Sequence, residues 1–280
     1  MLAEWTKRLQ AVDPAHPCYI NLFPNYADAG QLGAATYPAY VAQFIAQVPV
    51  PILSFDHYPV VGSSLRAEWY ENLEQFRAAA VAAGKPFWAF ALSVAHDPYP
   101  VATLEHLRLQ VFSDLAYGAQ GIQYFTYWTI KSPVWNFHEA PIGLDGKRTA
   151  VYERVKQVNE EIRGLSSVFL GAKVLRLGHT GALPRGTSAY EPAAPIVSLK
   201  TEGNGALVSL LENGKRRYLA IVNRDFLAPL PIALTFDGSA KISEIQKDGA
   251  ARDLTGREYS RPLAPGNLLL LSWEPAPATP

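Results

Sequence analysis

The sequence predicts an α/β chain: a partial, half-length TIM-type (β/α) barrel of four strand-helix units, followed by an all-β sandwich. Three observations predict it. Over about the first 165 residues, short apolar runs alternate with segments of helical period. Each unit takes about 35 to 40 residues, the rhythm of a barrel whose eight units fill roughly 250. The apolar runs are continuous rather than alternating, as in parallel strands covered on both faces. From about Ala172 the helical period vanishes, and short strands recur every ~8 to 12 residues between turn signals. The expected domains are 1–168 and 169–280.

The elements follow in order. Leu2, Trp5, Leu9 and Val12 space out one helical face, closed by "DPAHP". "CYINLF" reads as a buried strand, "YPAYVAQFIAQV" as a helix, and "PILSF" as the second strand. "LRAEWYENLEQFRAAAVAAG" carries Leu65, Trp69, Leu73, Phe76 and Ala80 on one stripe, with Gly84 as its stop. "PFWAFAL" is the third strand, "VATLEHLRLQVFSDLAYG" the next helix and "GIQYFTYW" the fourth strand. A long loop from about Thr129 to Arg148 precedes the closing helix "TAVYERVKQVNEEIRGL". Beyond it, "AKVLRLG", "GALVSLLE", "RRYLAIVNRD", "PIALTF", "AKISEIQ" and "NLLLLSWE" read as strands, and "EPAPATP" as a tail.

Composition narrows the function. Of 280 residues almost half are apolar and 18% are charged, with 25 basic and 25 acidic side chains. A balanced surface does not steer a chain toward nucleic acid or an anionic membrane. Cys18 is alone, which leaves no disulfide framework and no thiolate metal site. The first residues carry Glu4, Lys7 and Arg8 among the apolar ones and lack the apolar core of a signal peptide. As written, the chain reads as cytoplasmic, with export left open.

Ligands of barrels and open parallel sheets bind beyond the carboxyl ends of the strands. Behind the first strand stand Asn21, Asn25 and Tyr26; behind the second, Asp56, His57 and Tyr58. The third is followed by Ser93, His96 and Asp97. The fourth holds Tyr124, Tyr127 and Trp128, with Trp135, His138 and Glu139 in the long loop. The opposite strand ends show mostly Pro, Gly and Lys. That asymmetry marks a functional rim, although each residue also has a structural reading. Asp56 could cap a turn or pair with a nearby Arg, His57 and His96 could serve backbone carbonyls, Trp128 could be core and Glu139 merely solvated. No HExxH, GxSxG, GxGxxG or P-loop pattern occurs, and no metal is expected.

"HPCYINLFPNYA", "LSFDHYP", "YENLEQFRAAA", "KPFWAF", "YGAQGIQYFTYW" and "GLDGKRTAVYERVKQVNEEIRGL" resemble the second half of a clan A glycoside hydrolase barrel, akin to the family 42 β-galactosidases. "RRYLAIVNRD" with "LAPGNLLLLSW" is similar to the β-domain that follows it there. The resemblance implies retaining hydrolysis of a β-glycoside by two carboxyl groups ~5 Å apart. It also implies that the strands are the fifth to eighth, so that the acid/base strand would precede Met1. "PFWAFALSVAH" would be the seventh strand, where the family carries its nucleophile, and it has no Glu. Tyr58 would match the tyrosine that contacts the nucleophile, and Trp128 the tryptophan beneath the sugar.

The combined expectation is a cofactor-free β-glycosidase with a carbohydrate substrate. Asp56, Glu139 and Asp97 are its candidate carboxylates. Trp128, Tyr127 and Tyr124 form a platform, Asn21, Asn25, His57 and His96 hold hydroxyls, and Tyr26, Tyr58 and Trp135 are further substrate-binding residues. The alternatives are a non-catalytic carbohydrate binder, a degenerate glycosidase relative, or a fragment of a longer protein. A half barrel leaves a sheet edge and an inner face uncovered, so a homodimer joining two halves is expected.

Overall fold

Small hydroxyl and carboxylate side chains set where several of the helices begin. The structure is a computed structural model that describes residues 1–275. It opens with α1 (Leu2–Val12), β1 (Asn21–Leu22), the single turn α2 (Ala29–Leu32) and α3 (Tyr37–Gln47). β2 (Leu53–Asp56) leads into a hairpin of β3 (Val60–Val61) and β4 (Ser64–Leu65), followed by α4 (Trp69–Ala82). Then come β5 (Phe87–Leu92), α5 (Leu104–Ala116), β6 (Gly121–Phe125), α6 (Ala150–Gly164) and α7 (Ser166–Phe169). Asp28, Thr36, Thr103 and Thr149 each accept a backbone N–H at the start of α2, α3, α5 and α6.

The four main strands form one parallel sheet in the order β1-β2-β5-β6. Register aligns Asn21, Ser54, Trp88 and Gly121 in one row, and Asp56, Phe90 and Gln123 in the row two residues on. Side chains alternate along a strand, so both rows share one face, while Leu53, Phe55, Ala89 and Ala91 share the other. On that second face Leu53, Phe55, Ala89 and Ala91 are fully buried beneath the helices, with Phe55 packed on Phe76 of α4 at 4.4 Å between ring centroids. The first face is polar and part-exposed, and every residue of β6 is half-buried. The strands are therefore covered on one face only. The expectation of two covered faces fails because a run such as "LSFD" hides its polar members among apolar ones.

The second part holds β7 (Lys173–His179), β8 (Ile196–Thr201), β9 (Ala206–Asn213), β10 (Arg216–Asn223), β11 (Leu230–Phe236), β12 (Ser243–Ile245), β13 (Ala251–Asp253), β14 (Glu258–Leu263) and β15 (Leu268–Trp273). They form a six-stranded antiparallel sheet, β13-β12-β15-β10-β9-β7, and a three-stranded one, β14-β11-β8. One face of the larger sheet (Val208, Leu219, Ile221, Leu271) packs on Ile232 and Leu234 of the smaller. Its other face (Leu207, Leu211, Ala220, Leu270) joins the core built by α4 and α5. Burial on both sides explains the unbroken "LLLLSW" of β15. It also explains why α5 is buried at every residue from Leu109 to Ala116.

Other differences have local causes. Leu65 leaves the expected helix for the hairpin, and "CYINLF" shrinks to a two-residue strand at the sheet edge. The strands Ile196–Thr201, Ala251–Asp253 and Glu258–Leu263 escape sequence reading because each is half polar. α1 forms as expected, yet Leu2, Trp5, Leu9 and Val12 all face water. Of the tail "EPAPATP", residues 276–280 lie outside the described residues. No helix among the described residues is long and apolar enough to cross a membrane.

Candidate active site

The polar face of the parallel sheet carries a connected chain of side chains. Tyr19 donates to Gln123 Oε1, and Gln123 Nε2 donates to Ser54 Oγ at 3.1 Å. Ser54 Oγ donates to Asn21 Oδ1 at 3.0 Å, and Asn21 Nδ2 donates to Asp56 Oδ1 at 2.9 Å. Trp88 lies over β6 where Gly121 leaves room for its indole, and Tyr19 sits 5.5 Å from it. A carboxylate, two amides, two hydroxyls and an indole thus occupy one open sheet face. Burial pushes the Asp56 carboxyl upward, and hydrogen bonds from Asn21 and Tyr58 partly relieve the shift. A carboxyl that holds its proton more readily is suited to general acid work.

Beyond the strand ends this face continues as an aromatic cluster. Tyr58 stacks on Phe125 at 5.8 Å and meets Tyr99 edge-on at 5.9 Å. His96 packs against Tyr99 at 4.8 Å and Phe137 at 4.6 Å, with Trp135 edge-on at 6.0 Å. Arg66, from the end of the hairpin, donates to the Tyr99 hydroxyl at 3.0 Å and lies 4.4 Å from the Tyr26 ring centroid. Burial raises the Tyr26 and Tyr58 phenols, so both stay protonated donors. Burial also holds His96 below its ordinary value.

His57 stands edge-on to Tyr26 at 4.9 Å and is buried. Its Nδ1 lies 3.0 Å from Asn72 Oδ1, while Asn72 Nδ2 donates to the Tyr37 hydroxyl. The amide oxygen can only accept, so His57 carries its proton on Nδ1. Nε2 is left as a lone pair without a partner. Burial lowers His57 to about 4, which keeps the ring neutral near pH 7.

The structure joins Asn21, Tyr26, Asp56, His57, Tyr58, His96 and Trp135 through these contacts. Other expected site residues are used differently. Tyr124 points to the helix-covered face and donates to Asn159 of α6 at 2.9 Å, so it is no part of a platform with Trp128. Asn25 pegs the loop after β1 to α4: its N–H donates to Asn72 Oδ1 at 2.7 Å and its Nδ2 to the Glu68 carbonyl. Asp97 and Asn136 clasp one another, with Asp97 N–H on Asn136 Oδ1 at 2.9 Å and Asn136 Nδ2 on Asp97 Oδ2 at 3.0 Å. Glu139 is exposed at a left-handed φ of 51°, and its carboxylate accepts no hydrogen bond among the described residues. It lines a hollow of about 460 Å³ with Asp145, Lys147 and Arg148, and Asp56 is not among the lining residues. Tyr127 and Trp128 are each 62% exposed just past β6, at the same end of the sheet as Asp56.

Sequence reasoning missed Tyr19, Ser54, Trp88, Gln123, Arg66, Asn72 and Tyr99. Ser54 stands two residues before Asp56 and Gln123 two before Phe125, a period-two signal inside runs read as apolar. Asn72 interrupts the stripe between Trp69 and Leu73, which also marks it. No group of three or more His, Cys, Asp or Glu among the described residues is arranged to hold a metal ion.

A four-stranded parallel sheet covered by helices on one face, with a carboxylate-bearing open face, thus precedes the antiparallel sheets of the second part. Residues 25–165 match the family model described as Glyco_hydro_42, β-galactosidase, and the chain belongs to that family. A search of curated proteins finds no match. Among solved structures, the fold is similar to a catalytic mutant of Gan42B, a GH42 β-galactosidase from G. stearothermophilus. That match has a TM-score of 0.60 and 10% identity, covering 95% of this chain and 65% of the other. The β-galactosidase of Bacillus circulans sp. alkalophilus matches at TM-score 0.56 and 11% identity, over 95% of this chain and 65% of that one. An Anoxybacillus α-amylase matches at TM-score 0.56 and 12% identity, over 99% and 56%. The chain therefore spans less than two thirds of the length of these enzymes.

Proposed function

We propose that this chain is a half (β/α) barrel, residues 1–168, joined to a β-sandwich, residues 169–280, and that it takes a β-linked oligosaccharide across the open face of its parallel sheet. The observation that carries this reading is the Asp56 network. Tyr19, Gln123, Ser54, Asn21 and Asp56 line up on a face with Trp88, and a sheet packed on both sides would have no use for them. Trp88, Trp128 and Tyr127 offer π-faces to the C–H side of sugar rings, while the amides and hydroxyls suit sugar hydroxyls. Asp56 is one catalytic carboxyl of a β-glycosidase, with its raised pKa fitting the acid/base role. Retaining hydrolysis needs a second carboxylate ~5 Å away. Glu139 remains the candidate within the chain, and a second copy completing the barrel is the candidate outside it. No cofactor is needed, because proton transfer and a carboxylate nucleophile suffice.

The test is release of nitrophenol from β-galactoside, β-glucoside and related nitrophenyl substrates, with molar mass measured by light scattering. Asp56→Asn should lower turnover at least a hundredfold while leaving sugar binding within a few-fold. Equal turnover by wild type and Asp56→Asn would remove Asp56 from the chemistry, and no turnover by wild type on any of these substrates would end the enzymatic reading. A second reading, a non-catalytic sugar binder, is favoured by one specific observation. Asp56 is the only carboxylate among the register-aligned residues of the open face. On that reading no substrate turns over, and Trp88→Ala and Trp128→Ala still weaken sugar binding.

A further inference from the structure

A second hollow lies where the hairpin and the start of α4 meet the β part. It measures about 490 Å³, within the range of small-molecule sites. Ser63, Ser64, Leu65, Arg66 and Tyr70 line one side; Leu183, Arg185, Asn204, Arg224 and Phe226 line the other.

Of the three arginines that line the hollow, Arg224 is buried, and only Arg185 has carboxylate partners. Arg185 pairs with Glu71 and stands 3.6 Å from Glu68. Arg224 is 7% exposed, and its Nη2 donates to the carbonyls of Thr180, Ala182 and Asn204. Its Nε, like Nε of Arg66, is itself buried and meets no hydrogen-bond partner among the described residues, so an anion in the hollow would meet the outer edge of each guanidinium. Among the described residues, neither guanidinium meets a carboxylate within salt-bridge range. Asp225 also lines the hollow, but its oxygens are occupied. Oδ1 accepts the N–H groups of Leu227 and Ala228, and Oδ2 accepts from Asn204 Nδ2. A buried cation without a counter-ion is costly, and a bound anion relieves it. A guanidinium also matches a carboxylate or phosphate in its planar, two-pronged geometry.

We infer that this hollow binds a sugar bearing an anionic group, the anion held between Arg66 and Arg224 and the ring against Tyr70, Phe226 and Leu183. Ser63, Ser64 and Asn204 supply hydroxyl partners. The inference rests on the carbohydrate reading above and names a substrate class for it. Arg66 connects the two regions, since the same side chain that lines the hollow also packs on Tyr26 and Tyr99 beside Asp56. An acidic residue of an oligosaccharide would thus be gripped one step from the sheet face, fixing which way the chain lies.

Calorimetric titration with galacturonate disaccharide, galactose 6-phosphate, galactobiose and inorganic phosphate tests this. One of the two anionic sugars should bind at least tenfold tighter than galactobiose, weakening as salt rises, and which one binds identifies the anion. Ser63→Glu, an exposed hairpin change that places a negative charge on the wall, should reduce that affinity at least tenfold. Arg66→Gln should do the same, with an unaltered melting temperature for Ser63→Glu as the control for folding. Galactobiose binding with no preference for anionic sugars overturns the inference and leaves the carbohydrate reading standing. Inorganic phosphate binding as tightly as either anionic sugar also overturns it, since the sugar would then contribute nothing. Failure of all four ligands overturns both.

Discussion

Replacing Asn72 by Ala removes the single group that ties two strand-exit segments and the start of α3 together. In the folded chain its Oδ1 accepts from the Asn25 N–H at 2.7 Å and from His57 Nδ1 at 3.0 Å, and its Nδ2 donates to the Tyr37 hydroxyl at 3.0 Å. Asn72 is fully buried, and His57 and Tyr37 nearly so. Truncation therefore orphans two donors, each costing about 1–3 kcal/mol, and deprives one hydroxyl of its donor. The expected loss is about 3–5 kcal/mol, a large share of the 5–15 kcal/mol typical of a folded domain. Urea unfolding followed by tryptophan fluorescence measures it, with the slope m required to stay constant so that midpoints compare directly. Sugar affinity should fall as well, because Asn25 and His57 lose their common anchor. A loss below about 1 kcal/mol at constant m would refute the argument that these bonds fix the rim.

His57 makes stability depend on acid. Its folded value of about 4 lies below the ordinary 6.5, so the unfolded chain binds the proton first and stability falls as pH drops from 6.5 toward 4. Between pH 7 and 4.5, wild type should lose on the order of 2 kcal/mol more than His57→Gln, read from urea titrations at both pH values. Glu161→Gln should cost about 3 kcal/mol by thermal unfolding, since Arg108 and Lys247 then lose their shared carboxylate. Trp128→Ala should leave the melting temperature unchanged, because the indole is mostly exposed, while weakening sugar binding about tenfold by titration. Any large drop in melting temperature would reassign Trp128 to packing.

Helices with a buried apolar stripe were legible: Trp69, Leu73, Phe76 and Ala80 are all buried as spaced. So were hairpins marked by a glycine turn, such as Ala206–Asn213 with Arg216–Asn223 around Gly214. What stayed hidden depended on partners distant in sequence. α1 has the pattern of a buried helix, and nothing in that pattern says whether a neighbour covers it. Tyr124 and Gln123 are adjacent in one strand, yet only register tells that one faces α6 and the other Ser54. Arg66 could not be read at all, because its role follows from a hairpin whose two-residue strands carry too little pattern to recognise. Asp97 and Glu139 were legible only as loop carboxylates; that Asp97 pairs with Asn136 and that Glu139 stands exposed, outside the bonded Asp56 network, needed the fold.

The Glu161 knot bears on how the molecule comes apart. Arg108 of α5, Glu161 of α6 and Lys247 between β12 and β13 share one buried carboxylate. At Gly164 a β-carbon would strike the Lys247 carbonyl, so backbone from the two parts lies in direct contact. Lys247 also sits 3.8 Å from the Phe112 ring centroid. Heating in a calorimeter should therefore produce one endotherm rather than two. A nick introduced near residue 170 should leave both pieces associated until they melt together.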